Sequence, residues 1–321
     1  MSKIEKQSNN AEITTKLNKI LKNVEKPIRY TGEEINMCKK DLSKIDFRFA
    51  FCFPDVYEVG MSHLGLRILY DLYNKREDTY CERVFAPWVD MEELMRKEKI
   101  PLFSLETKTS LNKFDMIGFT LQYELSYTNI LNMLELGNVP LLAIDRKEDD
   151  PFVIAGGPCA YNSEPIADFF DFIILGEGEE VNIEVTKLWL NWKKSKKNRK
   201  DFLEEVSKIE GIYVPSFYDI SYNKDNTIKE IKKNNENAKD IITKRIIKDL
   251  DKLDYPTKWL VPYLNVVHDR AMLEIFRGCI RGCRFCQAGY LYRPVREKSY
   301  ENLEKIAKEL VNNTGYEEIA L

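Results

Sequence analysis

From Asp46 to Trp192 the chain alternates short apolar runs with segments of helical period, and no other feature limits its fold as strongly. Phe47 to Phe53 reads as a strand ended by Pro54 and Asp55. The next segment, Met61 to Tyr73, sets Leu64, Ile68, Leu69, Leu72 and Tyr73 broadly on one helical face. Further strands are expected at Arg83 to Ala86, Phe114 to Thr120, Phe152 to Ala155 and Phe172 to Leu175. Helices are expected over Met91 to Arg96, Ser126 to Leu136, Pro165 to Phe170 and Glu180 to Trp192. Such alternation predicts an α/β fold with a doubly wound parallel sheet, which binds ligands at the carboxyl ends of its strands. Gly60, Gly156, Gly157, Gly176 and Gly178 follow those ends. A missing Cβ there serves either a tight turn or the close approach of a ligand.

The flanking segments read differently. Thr31 to Glu34 (TGEE) resembles a helix start within a peripheral arm, 1–45. Residues 46–210 form the α/β domain. Gly211 to Tyr222 has β character and Asn223 to Asp240 is polar, which predicts a small hairpin with a loose tip in a connector, 211–262. A second domain, 263–321, begins with strand Ala271 to Phe276 and continues through helix Tyr300 to Val311 into a strand at Glu318 to Leu321. No apolar run approaches the ~18 residues a membrane span needs, and Met1 to Lys26 lacks a secretory apolar stretch. The expected location is therefore the cytoplasm, with reduced thiols. Forty-nine Lys and Arg against 52 Asp and Glu exert no global pull toward nucleic acid or anionic lipid.

Three of the seven cysteines, Cys279, Cys283 and Cys286, share one short loop as CxxxCxxC, while Cys38, Cys52, Cys81 and Cys159 are scattered. An odd number of cysteines in a reducing compartment argues against a disulfide framework and for metal binding at the clustered three. The scattered four read as structural. Three thiolates can hold a cubane iron-sulfur cluster with one iron left open, whereas a structural zinc site requires a fourth ligand that the loop does not contain.

Arg277 to Cys286 (RGCIRGCRFC), preceded by an apolar strand and continued by Gln287 to Ser299 (QAGYLYRPVREKS), resembles the cluster motif of the radical S-adenosylmethionine (SAM) superfamily. Lys26 to Tyr30 (KPIRY), Phe53 to Gly65 (FPDVYEVGMSHLG), Gly156 to Pro158 (GGP) and Gly176 to Glu180 (GEGEE) extend the likeness to members with a cobalamin-binding-like domain in front of the barrel. The resemblance implies a front sheet of Rossmann or flavodoxin type followed by the first elements of a partial β/α barrel. It implies an enzyme with a [4Fe-4S] cluster on Cys279, Cys283 and Cys286, SAM on the open iron, and Phe285 near the adenine. One electron from an external donor would then cleave SAM to a 5′-deoxyadenosyl radical. Neither the catalytic residues nor the substrate follow from it.

Asp55, Tyr57 and Gly60 spell DxYxxG where cobalamin-binding folds often carry DxHxxG. A phenol is a poor replacement for a cobalt-ligating imidazole, since it holds its proton to pH ~10. Cobalamin contacting Asp55, Tyr57, Gly60, Gly156 and Gly157 thus stays one alternative, and a cobalamin-free platform for substrate or partner the other. His63, close by, reads as structural. Arg270, Arg277, Arg281, Arg284, Arg293 and Arg296 crowd the cysteine loop. They fit an anionic substrate such as RNA, a role beside the cluster and the SAM carboxylate, or a solvated face paired with Glu274 and Glu297. A zinc-stabilised RNA-binding module without catalysis is the rival class. A closed β/α barrel takes ~250 residues, so the chain reads as the front portion of a longer enzyme, inactive alone, with an unpaired edge at Glu318 to Leu321.

Overall fold

The computed structural model describes residues 3–195 and 197–321; Met1 and Ser2 of the expected arm lie outside them. The helices are α1 (Lys3–Ile20), α2 (Tyr57–Gly60), α3 (Leu64–Asn74), α4 (Val89–Glu98), α5 (Tyr127–Leu136), α6 (Gly178–Ser195), α7 (Arg199–Val206), α8 (Ala288–Leu291) and α9 (Tyr300–Thr314). The strands of the main sheet are β1 (Phe47–Phe53), β2 (Thr79–Phe85), β3 (Met116–Thr120), β4 (Phe152–Gly156), β5 (Phe172–Ile174) and β6 (Ile212–Tyr213). They run in the order β2-β1-β3-β4-β5-β6, parallel except for β6. This is the doubly wound sheet expected from the sequence, with a flavodoxin-like strand order and a switch point between β1 and β3.

Alternation along β1 builds both faces. Phe47, Phe49, Phe51 and Phe53 pack toward α3, α6 and α7, meeting Tyr73, Trp189 and Phe202. Ala50 and Cys52 face the opposite layer, with Met91 and Met95 of α4 and Met133 of α5. Ile13 and Leu17 of α1 join that second layer, so the amino-terminal helix packs into the core.

The second part of the chain is smaller. Strands β9 (Ala271–Met272) and β12 (Ile319–Ala320) pair in parallel around α9, forming one β/α/β unit. Strands β10 (Phe276–Arg277) and β11 (Arg296–Glu297) pair antiparallel and bracket the cysteine loop. The single strand expected over Ala271 to Phe276 is therefore two short ones.

Several local expectations are corrected. Thr31 to Glu34 starts no helix: Gly32 and Glu33 take positive φ of 67° and 66°, which turns Glu34 into the core against Arg83. The expected helix over Pro165 to Phe170 is a 3-10 segment, Glu164–Phe169. The charged stretch 193–210 contains α7, closed by a capping box between Asn198 and Asp201. Part of the loose tip is a strand, because β7 (Tyr218–Tyr222) and β8 (Ile228–Lys233) pair through their backbones, a ladder that requires no buried side chain.

Candidate functional site

The carboxyl edge of the parallel sheet borders a cavity of about 450 Å³. Gly118, Gly156, Gly157 and Gly176 form its floor, and α3 contributes Leu64, Ile68 and Leu69. Two glycines are required by geometry: Gly157 has φ +110°, and Gly176 has φ +107° with a Cβ position that would collide with the Arg245 backbone. The opposite wall comes from Glu274, Phe276, Arg277 and Gly278, the strand leading into the cysteine loop. One cavity thus faces both the sheet and that loop. Its size is that of a small-molecule site.

Ion pairs tie the two walls together. Arg296 grips Glu177 through two hydrogen bonds, Nη1 at 2.6 Å and Nη2 at 2.8 Å. Arg277 donates to Glu179 at 2.6 Å and to Glu274 at 2.8 Å, and Lys298 reaches the second oxygen of Glu274 at 2.9 Å. Burial opposes the charge on Arg277, but Glu179 and Glu274 outweigh it and push its pKa above the ordinary value. Burial likewise works against the Glu274 carboxylate, and Arg277 and Lys298 still hold it below the usual range. Two of the six arginines near the loop are therefore bound to acids of the front domain. Arg270 lies 3.8 Å from Glu318, Arg293 stacks over Tyr290, and Arg281 and Arg284 are exposed. The carboxylates of GEGEE are partners that sequence reasoning missed. The visible signal was an acidic pair directly after a strand end, opposite an unexplained arginine cluster.

His63 has the structural role expected from the sequence. It caps α3, accepting a hydrogen bond from Leu66 N–H at Nδ1, 3.2 Å away. Its other nitrogen donates to the Gln122 side chain, whose amide in turn donates to Thr120. Burial pulls its pKa down to about 4, so the ring is neutral near pH 7. The Nδ1 acceptor role fixes the proton on Nε2, and no ring lone pair is left to ligate a metal.

The predicted front-domain residues are not brought together. Gly156 and Gly157 line the cavity. Tyr57 is buried elsewhere, its hydroxyl donating to Glu34 at 2.8 Å and its ring edge-on to Phe85. Burial and the Glu34 carboxylate push that phenol well above its ordinary pKa. Asp55 borders a separate cavity of about 260 Å³ beside His63 and His268. Gly60 is a packing position, since a Cβ there would run into the Phe85 ring. Gly60→Ala should cost about 1–3 kcal/mol by overpacking, read as a lower urea midpoint; an unchanged midpoint would remove this packing role.

Cys279, Cys283 and Cys286 are free thiols on one loop, Cys283 exposed and the others half-buried. Gly278 anchors the loop with φ +100° against the Tyr292 and Pro294 carbonyls, whereas Gly282, φ +62°, has open space around it. The backbone N–H of Cys286 donates to the Cys283 carbonyl at 3.1 Å. Among the described residues, no three His, Cys, Asp or Glu side chains are gathered closely enough to hold a metal ion. The donor set still fits a cluster: three solvent-accessible thiols with no competing partner on an open turn. Phe285 projects into solvent, 92% exposed. Cys52, Cys81 and Cys159 are buried in the front domain, where burial raises their pKa values.

Residues 65–215, which hold the sheet from β2 to β6, match the family model described as radical SAM proteins, N-terminal. The chain is 27% identical over 277 residues to an uncharacterized protein of Methanocaldococcus jannaschii, covering 85% of this chain and 48% of the relative. It thus spans about half the length of that relative. Among solved structures it is similar to the cobalamin-dependent SAM radical enzyme OxsB with aqua-cobalamin bound, at TM-score 0.47 and 14% identity, covering 84% of this chain and 32% of the other. It is also similar to the radical SAM methyltransferase TsrM of Kitasatospora setae, at TM-score 0.45 and 10% identity, covering 85% and 46%. Both scores lie below 0.5, so the likeness of this chain to radical SAM proteins rests on the family match over residues 65–215. No helix among the described residues is long and apolar enough to cross a membrane.

Proposed function

We propose that the chain supplies the cysteine loop and cofactor cavity of a radical SAM enzyme. In this reading Cys279, Cys283 and Cys286 hold a [4Fe-4S] cluster with one open iron, and the cavity at the sheet edge takes cobalamin. When bound, the cluster supplies the electron that cleaves SAM, and the corrinoid supplies cobalt chemistry beside it. The observation that carries the reading is the cavity itself, whose floor is the strand-end glycines and whose far wall leads into the cysteine loop. Gly156 and Gly157 let a flat ligand approach the backbone. Leu64, Ile68 and Leu69 exclude water from one side, and Arg277, clamped by Glu179 and Glu274, sets the height of the loop above the floor. His63 positions its Nε2–H toward Gln122 and leaves cobalt without an imidazole. Phe285, on the same loop, is free to turn onto an adenine ring. An external one-electron donor is required, and the substrate class is set by the exposed Arg281 and Arg284 or by elements outside this chain.

The test is anaerobic loading of the protein with iron and sulfide, followed by hydroxocobalamin and gel filtration. Expected are a retained brown chromophore, a retained corrinoid spectrum and, after reduction to cob(II)alamin, an electron paramagnetic resonance signal without nitrogen splitting. Nitrogen splitting that vanishes in His63→Ala would overturn the His63 assignment. Retention of iron but not corrinoid assigns the front domain as a cobalamin-free platform. A colourless protein that holds zinc instead would sink the reading.

A further inference from the structure

The cavity at the sheet edge holds a buried amide whose donor has no use inside the protein. Asn182, on the second turn of α6, is 5% exposed and lines this cavity. Its Oδ1 accepts the Tyr73 hydroxyl at 2.9 Å, which turns Nδ2 the other way, toward Gly178 and Leu69. Nδ2 donates to no group among the described residues, yet it is not one of the polar atoms sealed inside without a partner. It is therefore open to the cavity. Gly178 keeps it so. The φ of Gly178 lies outside the left-handed region, so any residue could adopt its conformation. A Cβ at that position, however, would sit 2.8 Å from Asn182 Nδ2 and 3.4 Å from Leu69 Cδ2, and all three residues line the cavity. A side chain at 178 would cap the donor that Asn182 presents.

Buried polar groups are ordinarily hydrogen-bonded, and the charges nearby decide which acceptor fits this one. Glu177 is held by Arg296, while Glu179 and Glu274 share Arg277, with Lys298 also on Glu274. Three carboxylates meet three cations, so this wall keeps no free positive charge for an anion. A ligand carboxylate or phosphate would face Glu177 and Glu179 instead. A protonated amine gains nothing from Nδ2, which can only donate. What remains is an uncharged carbonyl oxygen. Among neutral carbonyls a primary carboxamide also brings N–H donors. Glu179, three residues before Asn182 and so its neighbour on the helix surface, has lone pairs to accept them.

We propose that Asn182 is a ligand-recognition residue of this cavity, its Nδ2–H taking the carbonyl oxygen of a primary carboxamide on the ligand. The choice of ligand rests on the corrinoid reading above, since a corrin carries a rim of acetamide and propionamide groups. The recognition itself does not: it follows from the clamped Oδ1, the uncovered Nδ2 and the neutralised wall.

The test follows the Asn182 side-chain amide by 15N nuclear magnetic resonance at pH 8, the signal being identified by its absence in Asn182→Asp. Titration with hydroxocobalamin or with propionamide, a cobalt-free piece of the corrin rim, should shift this signal saturably, while propionate and propylamine leave it in place. Asn182→Asp keeps an acceptor for Tyr73 and exchanges the donor for a carboxylate oxygen, so it should fold as the parent does by circular dichroism and bind hydroxocobalamin about tenfold more weakly. Gly178→Ala, which sets a methyl group against Nδ2, should weaken binding severalfold and keeps the test open should Asn182→Asp fail to fold. A signal moved by propionamide in a protein that retains no hydroxocobalamin sinks the corrinoid reading and upholds the carboxamide site. A signal unmoved by both amides, or moved equally by propionate, overturns the proposal, as does undiminished hydroxocobalamin affinity in the folded variants.

Discussion

If the cysteine loop holds the proposed cluster, Cys283→Ala is expected to abolish the visible iron-sulfur absorption of the reconstituted protein while leaving the fold intact. The size of the effect follows from coordination: a cubane with one open iron has three protein ligands, and losing one leaves two irons without a protein thiolate. The silence on folding follows from the local structure. Cys283 is exposed, and its neighbour Gly282 has nothing within 4 Å of where a Cβ would lie, so the truncated side chain vacates no packed volume. Circular dichroism and the urea midpoint should therefore match the parent. Cys38→Ala, half-buried in the segment before β1, is the control and should keep its full iron content. Full cluster absorption in Cys283→Ala would remove this loop from the cofactor assignment.

The front sheet was legible because its strands announce themselves locally. Phe47 to Phe53 has the predicted bounds, since a run apolar at every position but Arg48 and stopped by Pro and Asp leaves little room for another reading. Strand β2 begins at Thr79, earlier than expected, because Thr79, Glu82 and Arg83 look polar in sequence and are fully buried through pairing at a distance. The same cause hid the chemistry. Glu34, Glu177 and Glu179 are ordinary acids in sequence and acquire roles only when the fold sets Arg83, Arg296 and Arg277 against them. Tyr57 occupies the cobalt-ligand place of the motif in the sequence; the fold turns it inward to Glu34 instead. CxxxCxxC was readable in one dimension because its three cysteines share one short loop, and the ion pairs of Arg277 and Arg296 were not, because their partners lie far apart in the chain.

Arg83→Met should be among the most destabilising single changes in the front domain. Arg83 is fully buried and donates through Nη1 and Nη2 to Glu34 at 2.9 and 2.7 Å and through Nε to Glu106 at 2.6 Å. Methionine fills similar volume, so the loss is electrostatic: two buried carboxylates without their cation, about 3–5 kcal/mol at neutral pH. That is a large share of the ~5–15 kcal/mol that holds a typical domain folded. The pH dependence distinguishes this from a packing defect. Burial would raise the pKa of Glu34, yet Arg83 overrides it and holds the carboxyl at about 2, below its unfolded value. The stability Glu34 contributes is thus complete above its unfolded pKa and is lost as pH falls toward 2. Glu106 runs the other way, since burial lifts its pKa despite Arg83, so its ionisation already opposes folding as pH rises. Without Arg83 both carboxyls protonate readily, and the variant recovers in acid while the parent loses. The gap between parent and variant in urea unfolding should be widest near pH 7 and shrink as pH falls below the unfolded pKa of Glu34. Because Glu34 also receives the Tyr57 hydroxyl, the same substitution should loosen the segment from Pro54 to His63 and weaken hydroxocobalamin retention in parallel. A gap that stays constant with pH would mean that Arg83 acts through shape, and the buried charge network would no longer explain why the chain turns Glu34 inward.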